Sequence, residues 1–330
     1  MGFYLKNLCE SWPCDLLMVK GLKKIENPLK PELLAVLEHL NSRKSLPEIE
    51  TLNYERQSQG YIGEDKIRSL LLGRLNVKPI ALFDFRFKAN NDECQIDCLL
   101  LFQNECVLIE VKNYSGEYVY RDAEIFFNGS MKRLYSQPFP QVARAKVLLG
   151  DLFKSLGIRI NISEKIVFIN DKFYLYEVPG NLPVVYNATL DRFLRELNDK
   201  RCDLSDYHLK IAAKLKSVRL KNSVYERIPA YEYDTIQKGI PCVNCSSWMN
   251  KSHENSRKYL SCETCNSIET IDNAILRMVR EYNLLFKDRK ITSPAIYDWT
   301  NRIISQKAIR NILIKHLNPV GTTRDRHYLI

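Results

Sequence analysis

The sequence predicts an α/β protein whose largest domain is a mixed sheet flanked by helices. Three observations predict this fold: strand-like and helix-like patterns alternate over residues 57–200, two Cys-x-x-Cys pairs follow within 240–269, and residues 270–330 combine three helical patterns with a hairpin pattern. A chain of 330 residues with 45% hydrophobic residues can form more than one core. We therefore expect several domains.

The predicted elements of the first 220 residues follow from the spacing of apolar side chains. Helical spacing covers Pro31–Leu40, Ile62–Leu75, Pro140–Leu156 and Tyr207–Val218. Strand patterns cover Ala81–Phe87, Gln95–Phe102, Cys106–Lys112, Lys165–Ile169 and Leu182–Tyr186. Because hairpins precede the long helix and further strands follow it, the sheet is expected to be mixed.

These patterns divide the chain into five segments. They are an N-terminal helical and irregular segment (1–56), the sheet domain (57–200), a helical connector (201–239), a cysteine-bearing module (240–269) and a C-terminal three-helix domain (270–330). The sequence leaves open whether Met1 or Met18 is the natural start.

The composition indicates in which compartment the protein is expected and what kind of partner it binds. Neither a signal-peptide pattern nor an apolar run near the roughly 18 residues of a membrane span is present, so we expect a cytoplasmic protein without a membrane partner. Four of the ten cysteines form the two pairs, which fits a reducing compartment better than a disulfide framework. The net charge of +10 favours a polyanionic partner such as nucleic acid.

Two acidic residues interrupt apolar strands on a predicted hairpin. An even loop centred on Gln103-Asn104 places Asp97 opposite Glu110, with about 5 Å between their Cβ atoms. Facing carboxylates destabilise a sheet unless a cation neutralises them, and Mg²⁺ binds one or two carboxylates together with water. The pattern therefore predicts a divalent-cation site.

Lys112 lies on the same predicted face as Glu110, because side chains of a strand alternate. A lysine beside the cation can hold or deprotonate an attacking water and offset the charge of a phosphodiester transition state. Glu64, on the inward stripe of the preceding helix, is a candidate third carboxylate. The alternatives are an exposed ion-pair cluster for the hairpin residues and a simple first-turn acid for Glu64.

Four short motifs give the chain a recognisable pattern. They are Tyr61-Ile62-Gly63-Glu64, Gln95-Ile96-Asp97, Ile109-Glu110-Val111-Lys112-Asn113-Tyr114-Ser115-Gly116 and Gln137-Pro138-Phe139-Pro140-Gln141. In order and spacing they resemble the nuclease-related domain (NERD) family of the PD-(D/E)XK nuclease superfamily, over about residues 57–200.

The resemblance implies metal-dependent hydrolysis of phosphodiester bonds in a bacterial protein. Asp97 and Glu110 would bind Mg²⁺ or Mn²⁺, helped by the Val111 carbonyl, and Lys112 would position the nucleophile. Glu64 would support the site and Gln141 would orient groups from the following helix. Without the resemblance, Gln141 is most simply a solvated residue near a helix start.

The two cysteine pairs predict a zinc site. Cys242, Cys245, Cys262 and Cys265 have the C-x2-C-x15–20-C-x2-C spacing of a ribbon-like module that binds zinc through four thiolates. With no open coordination position, the zinc is expected to be structural. Two disulfides or a redox dithiol are the alternatives, and His253 is interpreted as a surface residue.

The C-terminal segment carries much of the positive charge. Residues 270–330 contain 11 Lys and Arg against 5 Asp and Glu. Three helices are predicted, at Ile271–Phe286, Ser293–Trp299 and Ser305–Leu317, and a hairpin follows, as in winged-helix domains. The residues expected to contact nucleic acid are Gln306, Lys307, Arg310 and Asn311 on the third helix and Arg324 and Arg326 on the hairpin. A protein-interaction or packing role is the alternative.

Together these predictions describe a metal-dependent nuclease, acting most readily on DNA, with DNA-binding modules at its C-terminus. A non-catalytic DNA-binding or regulatory protein and a partner-dependent effector nuclease are the rival hypotheses. Strandedness, the choice between DNA and RNA, the mode of cleavage and the oligomeric state are left open by the sequence.

Overall fold

The computed structural model describes residues 30–43, 46–90, 92–220, 228–251, 258–322 and 325–330. These residues form two compact units, the first made of residues 58–220 and the second of residues 30–57 and 228–330. Each unit has its own hydrophobic core. Within the described ranges, no helix combines the length and the apolar composition needed to cross a membrane.

Eight strands belong to the first unit. They are β1 (Ile80–Ala89), β2 (Asp92–Leu101), β3 (Glu105–Lys112), β4 (Gly116–Arg121), β5 (Glu124–Phe127), β6 (Asn161–Phe168), β7 (Phe173–Tyr176) and β8 (Val184–Tyr186). Five of them form one sheet in the order β1-β2-β3-β6-β8. The β1–β2 and β2–β3 pairs are antiparallel, whereas β6 pairs in parallel with β3 and β8. The predicted mixed sheet is confirmed.

Helices cover both faces of this sheet. In chain order the first five helices are α1 (Glu32–Ser42), α2 (Glu48–Arg74), α3 (Pro138–Ser155), α4 (Leu190–Asn198) and α5 (Asp206–Ser217). Of these five, α1 belongs to the second unit. Leu108 and Phe168 on one face belong to the same core cluster as Leu149 of α3. Val107 and Ile109 on the other face cluster with Ile67 of α2 and Phe193 of α4. Alternate side chains of β3 thus serve two cores, as expected for a central strand covered on both faces.

Helix α2 is longer than predicted. It begins at Glu48 and not at Ile62, and residues 48–57 belong to the second unit. This first part is polar on most sides, and its apolar residues Ile49 and Leu52 are exposed. The sequence prediction was wrong because a helix without a buried stripe has no apolar periodicity to mark it.

A second, three-stranded sheet in the order β5-β4-β7 was not predicted. Its strands have four to six residues. Tyr118 of β4 and Phe173 of β7 are buried, and their ring centroids lie 5.3 Å apart. Strands this short give too few alternations for a clear sequence signal.

In the described residues, the second unit contains α1, the first part of α2, five short strands and three further helices. The remaining elements are β9 (Asn250–Lys251), β10 (Tyr259–Ser261), β11 (Ile268–Thr270), α6 (Ile271–Leu285), α7 (Ser293–Trp299), α8 (Gln306–His316), β12 (Asn318–Val320) and β13 (His327–Leu329). β12 and β13 form the predicted hairpin, and Ile291, between α6 and α7, bridges to Tyr328 of β13. Thr292 caps α7, because its side-chain oxygen accepts the Ala295 N–H at 3.2 Å.

Candidate functional site

The hairpin of β2 and β3 has the predicted register. Backbone pairs run from Leu101 with Cys106 to Cys98 with Ile109. Continuing the register by one residue brings Asp97 opposite Glu110. Beyond the last backbone pair, the Asp97 side chain makes the next contact between the two strands, since its Oδ2 accepts the Val111 N–H at 2.7 Å.

This hydrogen bond also orients the peptide that follows Glu110. In an antiparallel ladder, the N–H and C=O of one residue point towards the same neighbouring strand. Because the Val111 N–H points towards Asp97, its carbonyl lies on the Asp97 side of β3. The geometry is compatible with the predicted use of this carbonyl as a ligand.

Glu110 is the buried centre of the site. Only 1% of its side chain is exposed, and its Oε1 accepts hydrogen bonds from Lys112 Nζ at 2.7 Å and from Gln141 Nε2 at 2.5 Å. The Lys112 ammonium also donates to Gln141 Oε1 at 2.9 Å. Among the described residues, no group donates to the other carboxylate oxygen of Glu110, Oε2.

Gln141 reaches this site from the first turn of α3, which begins at Pro138 within the motif Gln137-Pro138-Phe139-Pro140-Gln141. Gln137 holds that segment, because its side-chain oxygen accepts the Ile125 N–H at 2.7 Å while its amide donates to the carbonyls of Ile125 and Leu134. Gln141 is exposed as a residue, but its side-chain amide is hydrogen-bonded to Glu110 and Lys112.

Glu64 is brought close by an unusually tight contact of α2. A Cβ on Gly63 would lie 2.8 Å from Asn113 Cβ, so only glycine allows this approach. Asn113, directly after β3, donates to the Gln59 carbonyl at 2.9 Å and accepts from Asn170 at 3.1 Å. These contacts attach the Glu64 turn of α2 to the end of β3.

The acidic groups of the site raise one another's pKa values. Burial, followed by the charges of Asp84 and Glu110, raises the pKa of Glu64 to about 7. Burial and the charges of Glu110 and Glu64 also raise the pKa of Asp97 well above its usual range. Burial lowers the pKa of Lys112, but the charges of Glu110, Tyr114 and Asp97 and the hydrogen bond to Glu110 together outweigh burial, so the pKa lies above its ordinary value. The site thus holds more negative charge than its lysine compensates.

The donor set fits a hard divalent cation. Glu110 Oε2 is a buried carboxylate oxygen without a hydrogen-bond donor in the described residues, and a metal ion would satisfy it. The carboxylates of Glu64, Asp97 and Glu110 do not all come within 4.8 Å of one another. One cation would therefore contact at most two of these carboxylates directly, and Mg²⁺ commonly binds one or two carboxylates while it keeps several waters.

Comparison with known proteins finds a match to one family model. Residues 59–169 match the family model of the nuclease-related domain. These residues are a nuclease-related domain. The match covers the Glu64 turn, the whole acidic hairpin and Gln141, and it ends directly after β6. No curated protein and no solved structure matches the chain.

Residues 59–169 also contain polar positions that the sequence does not single out. Asn113 and Gln137 lie within the motifs, and their side chains attach α2 to the end of β3 and hold the start of α3. Asp84 was overlooked because it stands between Phe83 and Phe85, where an alternating strand predicts an ordinary outward polar residue.

The four predicted zinc ligands come together in the second unit. Within the described part of the chain, they are the one group of three or more His, Cys, Asp or Glu residues whose ligand atoms all lie within 4.8 Å. Cys242 Sγ lies 3.6 Å from Cys265 Sγ, and Cys245 Sγ lies 3.4 Å from Cys262 Sγ. A tetrahedron with Zn–S bonds of about 2.3 Å has S–S edges of about 3.8 Å, so the cluster fits zinc.

The two cysteine pairs adopt matching turns. The Ser246 N–H donates to the Cys242 carbonyl at 3.0 Å, and the Asn266 N–H donates to the Cys262 carbonyl at 2.8 Å. Both Ser246 and Asn266 have a positive φ, of 57° and 56°. Each turn therefore presents its two thiols in the same way. His253 lies outside the described residues.

Ser267 contacts two of the thiols. Its Oγ lies 3.0 Å from Cys242 Sγ and 3.2 Å from Cys265 Sγ. Burial raises the pKa of Cys242, but hydrogen bonds from Ser267 and from two backbone N–H groups lower it to about 6. This environment favours the thiolate, which is the form that binds metal.

The predicted face of α8 is exposed. Ile309, Ile312 and Leu313 are buried in the second core, and Gln306, Lys307, Arg310 and Asn311 lie exposed on the helix. Arg326 is half-buried, and its Nε is enclosed without a hydrogen-bond partner among the described residues. Arg324 lies outside the described residues.

Proposed function

We propose that this chain is a metal-dependent nuclease that hydrolyses phosphodiester bonds, with DNA as its substrate. The buried Glu110 carboxylate carries the proposal, because one oxygen is held by Lys112 and Gln141 and the other faces no donor in the described residues. The match of residues 59–169 to the nuclease-related domain supports a nuclease-related role.

Asp97, Glu110 and the Val111 carbonyl would hold Mg²⁺ or Mn²⁺. When bound, such a cation lowers the pKa of a water and stabilises negative charge on a phosphoryl oxygen. Lys112 has an ammonium group beside Glu110 and can hold the attacking water and offset the charge of the transition state. Gln141 fixes the position of both side chains, and Glu64 assists as a nearby carboxylate.

A structural zinc and a DNA-binding C-terminal domain complete the proposal. Cys242, Cys245, Cys262 and Cys265 would bind one zinc ion, which requires reduced thiols and therefore a reducing compartment such as the cytoplasm. The order α6, Ile291 bridge, α7, α8 and β12–β13 hairpin supports a winged helix. Its exposed α8 face would contact DNA, since Lys307 and Arg310 suit phosphates and Gln306 and Asn311 suit base edges.

The test is cleavage of plasmid, linear and single-stranded DNA and of RNA in Mg²⁺ or Mn²⁺, with the full chain and Lys112→Ala. We expect cleavage by the parent protein and loss of cleavage by the variant, with most of the nucleic-acid affinity retained. Cleavage that survives Lys112→Ala or excess chelator would contradict the assigned site. Tight DNA binding without cleavage under any condition would favour the non-catalytic rival. Cleavage that begins only when a partner is added would favour the effector rival.

A further inference from the structure

A third acidic residue lies level with Asp97 and Glu110 in the sheet. The β1–β2 pairs on either side, Phe83 with Cys98 and Phe85 with Ile96, place Asp84 opposite Asp97. The β2–β3 register in turn brings Asp97 opposite Glu110. Three adjacent strands therefore carry a carboxylate at the same level.

Asp84 has a backbone conformation that is uncommon inside a strand. Its φ is 47°, in the left-handed region that costs a non-glycine residue energy. At this step β1 changes the face that its aromatic residues occupy. Phe83 belongs to the core cluster with α2 and α4, whereas Phe85 belongs to the cluster with α3. The side chains of β1 therefore alternate regularly before and after Asp84, but the alternation is interrupted at Asp84 itself.

The surroundings of Asp84 connect it with the nuclease site. Its side chain is 24% exposed and accepts a hydrogen bond from Arg86 Nε at 3.2 Å. Among charged neighbours, Asp84 has the largest effect in raising the pKa of Glu64, ahead of Glu110. Asp84 is therefore electrostatically coupled to the acid of α2 as well as aligned with those of β2 and β3.

An independent feature indicates that this group of acids faces a ligand. Glu110 is 1% exposed, and its Oε2 has no donor within the described part of the chain. Because no three carboxylates come within 4.8 Å there, one cation would not be bound directly by all of them. The acids beyond the first two would instead accept hydrogen bonds from the waters that a hard cation retains.

We propose that Asp84 is a further positioning residue of the nuclease site, which holds water ligands of the divalent cation from the β1 side. This inference rests on the proposed function. Arg86 donates a hydrogen bond that would keep the Asp84 carboxylate in place, and the left-handed backbone of Asp84 marks a break in the regular alternation of β1. The residue acts on the cation through water and not as a direct ligand.

The test is Mn²⁺ binding by the full, zinc-loaded chain, measured by titration calorimetry together with the melting temperature in the absence of Mn²⁺. Asp84→Asn and Asp84→Gly are the informative variants, since both residues tolerate a positive φ. The matched control is Asp92→Asn, which removes an exposed acid of β2 that pairs with Arg144 at 2.9 Å. Glu110→Gln tests the site itself.

We expect both Asp84 variants to bind Mn²⁺ about ten to a hundred times more weakly, as for other groups that hold metal ligands in place, with an unchanged or higher melting temperature. Asp92→Asn should bind like the parent protein. Parent-like Mn²⁺ affinity of the Asp84 variants, with binding lost in Glu110→Gln, would overturn this inference alone. A large fall in the melting temperature of both variants would also overturn it, by making the residue a structural partner of Arg86. If Glu110→Gln binds Mn²⁺ normally, the proposed function itself fails.

Discussion

Gln141 donates a 2.5 Å hydrogen bond to Glu110, although the two residues are 31 positions apart and lie on a helix and a strand. The same amide accepts a hydrogen bond from Lys112. One side chain of α3 thus connects the buried carboxylate with the lysine, so the positions of both side chains depend on how α3 packs against the sheet.

Replacing Gln141 with Ala should lower the cleavage rate about ten- to a hundredfold, because Glu110 and Lys112 lose a common partner that orients them. Nucleic-acid affinity should change little, since the loss falls mainly on the transition state. Single-turnover cleavage and equilibrium binding would be measured on the same variant. Val147→Ala, at an exposed position of the same helix, is the control. Equal rates for Gln141→Ala and the control would remove Gln141 from the site.

Gly63→Ala should destabilise the nuclease-related domain by about 1–3 kcal/mol, because the new methyl group would lie 2.8 Å from Asn113 Cβ. Gly60→Ala and Gly73→Ala are matched controls on the same helix, where a Cβ would meet no atom within 4 Å. Those two substitutions should be neutral or stabilise the protein by up to about 1 kcal/mol. Urea unfolding of the three variants gives the comparison. If Gly63→Ala is as stable as the controls, α2 does not require this close contact.

One zinc ion per chain is the expected result of elemental analysis. Cys262→Ser should lose the zinc and the backbone protection of residues 240–251 and 258–269, since metal binding would stabilise a module with few core residues. Hydrogen exchange followed by mass spectrometry measures that protection. Cys202→Ser, a half-buried thiol of the other unit, should change neither quantity. A zinc-free protein with full protection in these residues would contradict the prediction.

Reversing the charges of Lys307 and Arg310 to Glu should weaken DNA binding and reduce its dependence on salt. Each lost phosphate contact removes about one unit from the slope of log affinity against log salt, so a change of about two units is expected. The control reverses Lys154 and Lys210, two exposed residues of the first unit, and has the same net charge. Fluorescence anisotropy over a range of salt concentrations separates the variants. Equal slopes for both double variants would indicate that α8 does not contact phosphates.

The hairpin could be predicted because its information is local. The turn at Gln103-Asn104 determines the register, and the register brings Asp97 opposite Glu110 without reference to the rest of the chain. The cysteine turns are equally local, since each pair and the residue after it form one hydrogen-bonded loop. Glu64 was a candidate from the inward stripe of its helix, and the family resemblance supported Glu64 and added Gln141. The resemblance was needed because the place of a helix residue at the site depends on how the helix packs on the sheet.

The features that could not be predicted from the sequence depend on contacts between distant segments or lack a periodic apolar pattern. The first half of α2 has no apolar stripe, and the strands of the β5-β4-β7 sheet are too short to show a period. The importance of Gly63 appears only when α2 meets Asn113, and that of Asp84 only when its backbone leaves the usual strand conformation.

The sequence by itself determined the mixed sheet, the register of the acidic hairpin, the four zinc-ligand candidates and the exposed face of α8. These features depend on periodicity and short spacings, which neighbouring residues impose on one another. Only the folded chain shows that one oxygen of Glu110 is hydrogen-bonded while the other has no donor among the described residues, and that Gln141 joins Glu110 to Lys112. The position of Asp84 level with Asp97 likewise follows only from the β1–β2 register. Those relationships require the packing of α2 and α3 on the sheet, because burial and hydrogen-bond partners are properties of the folded chain.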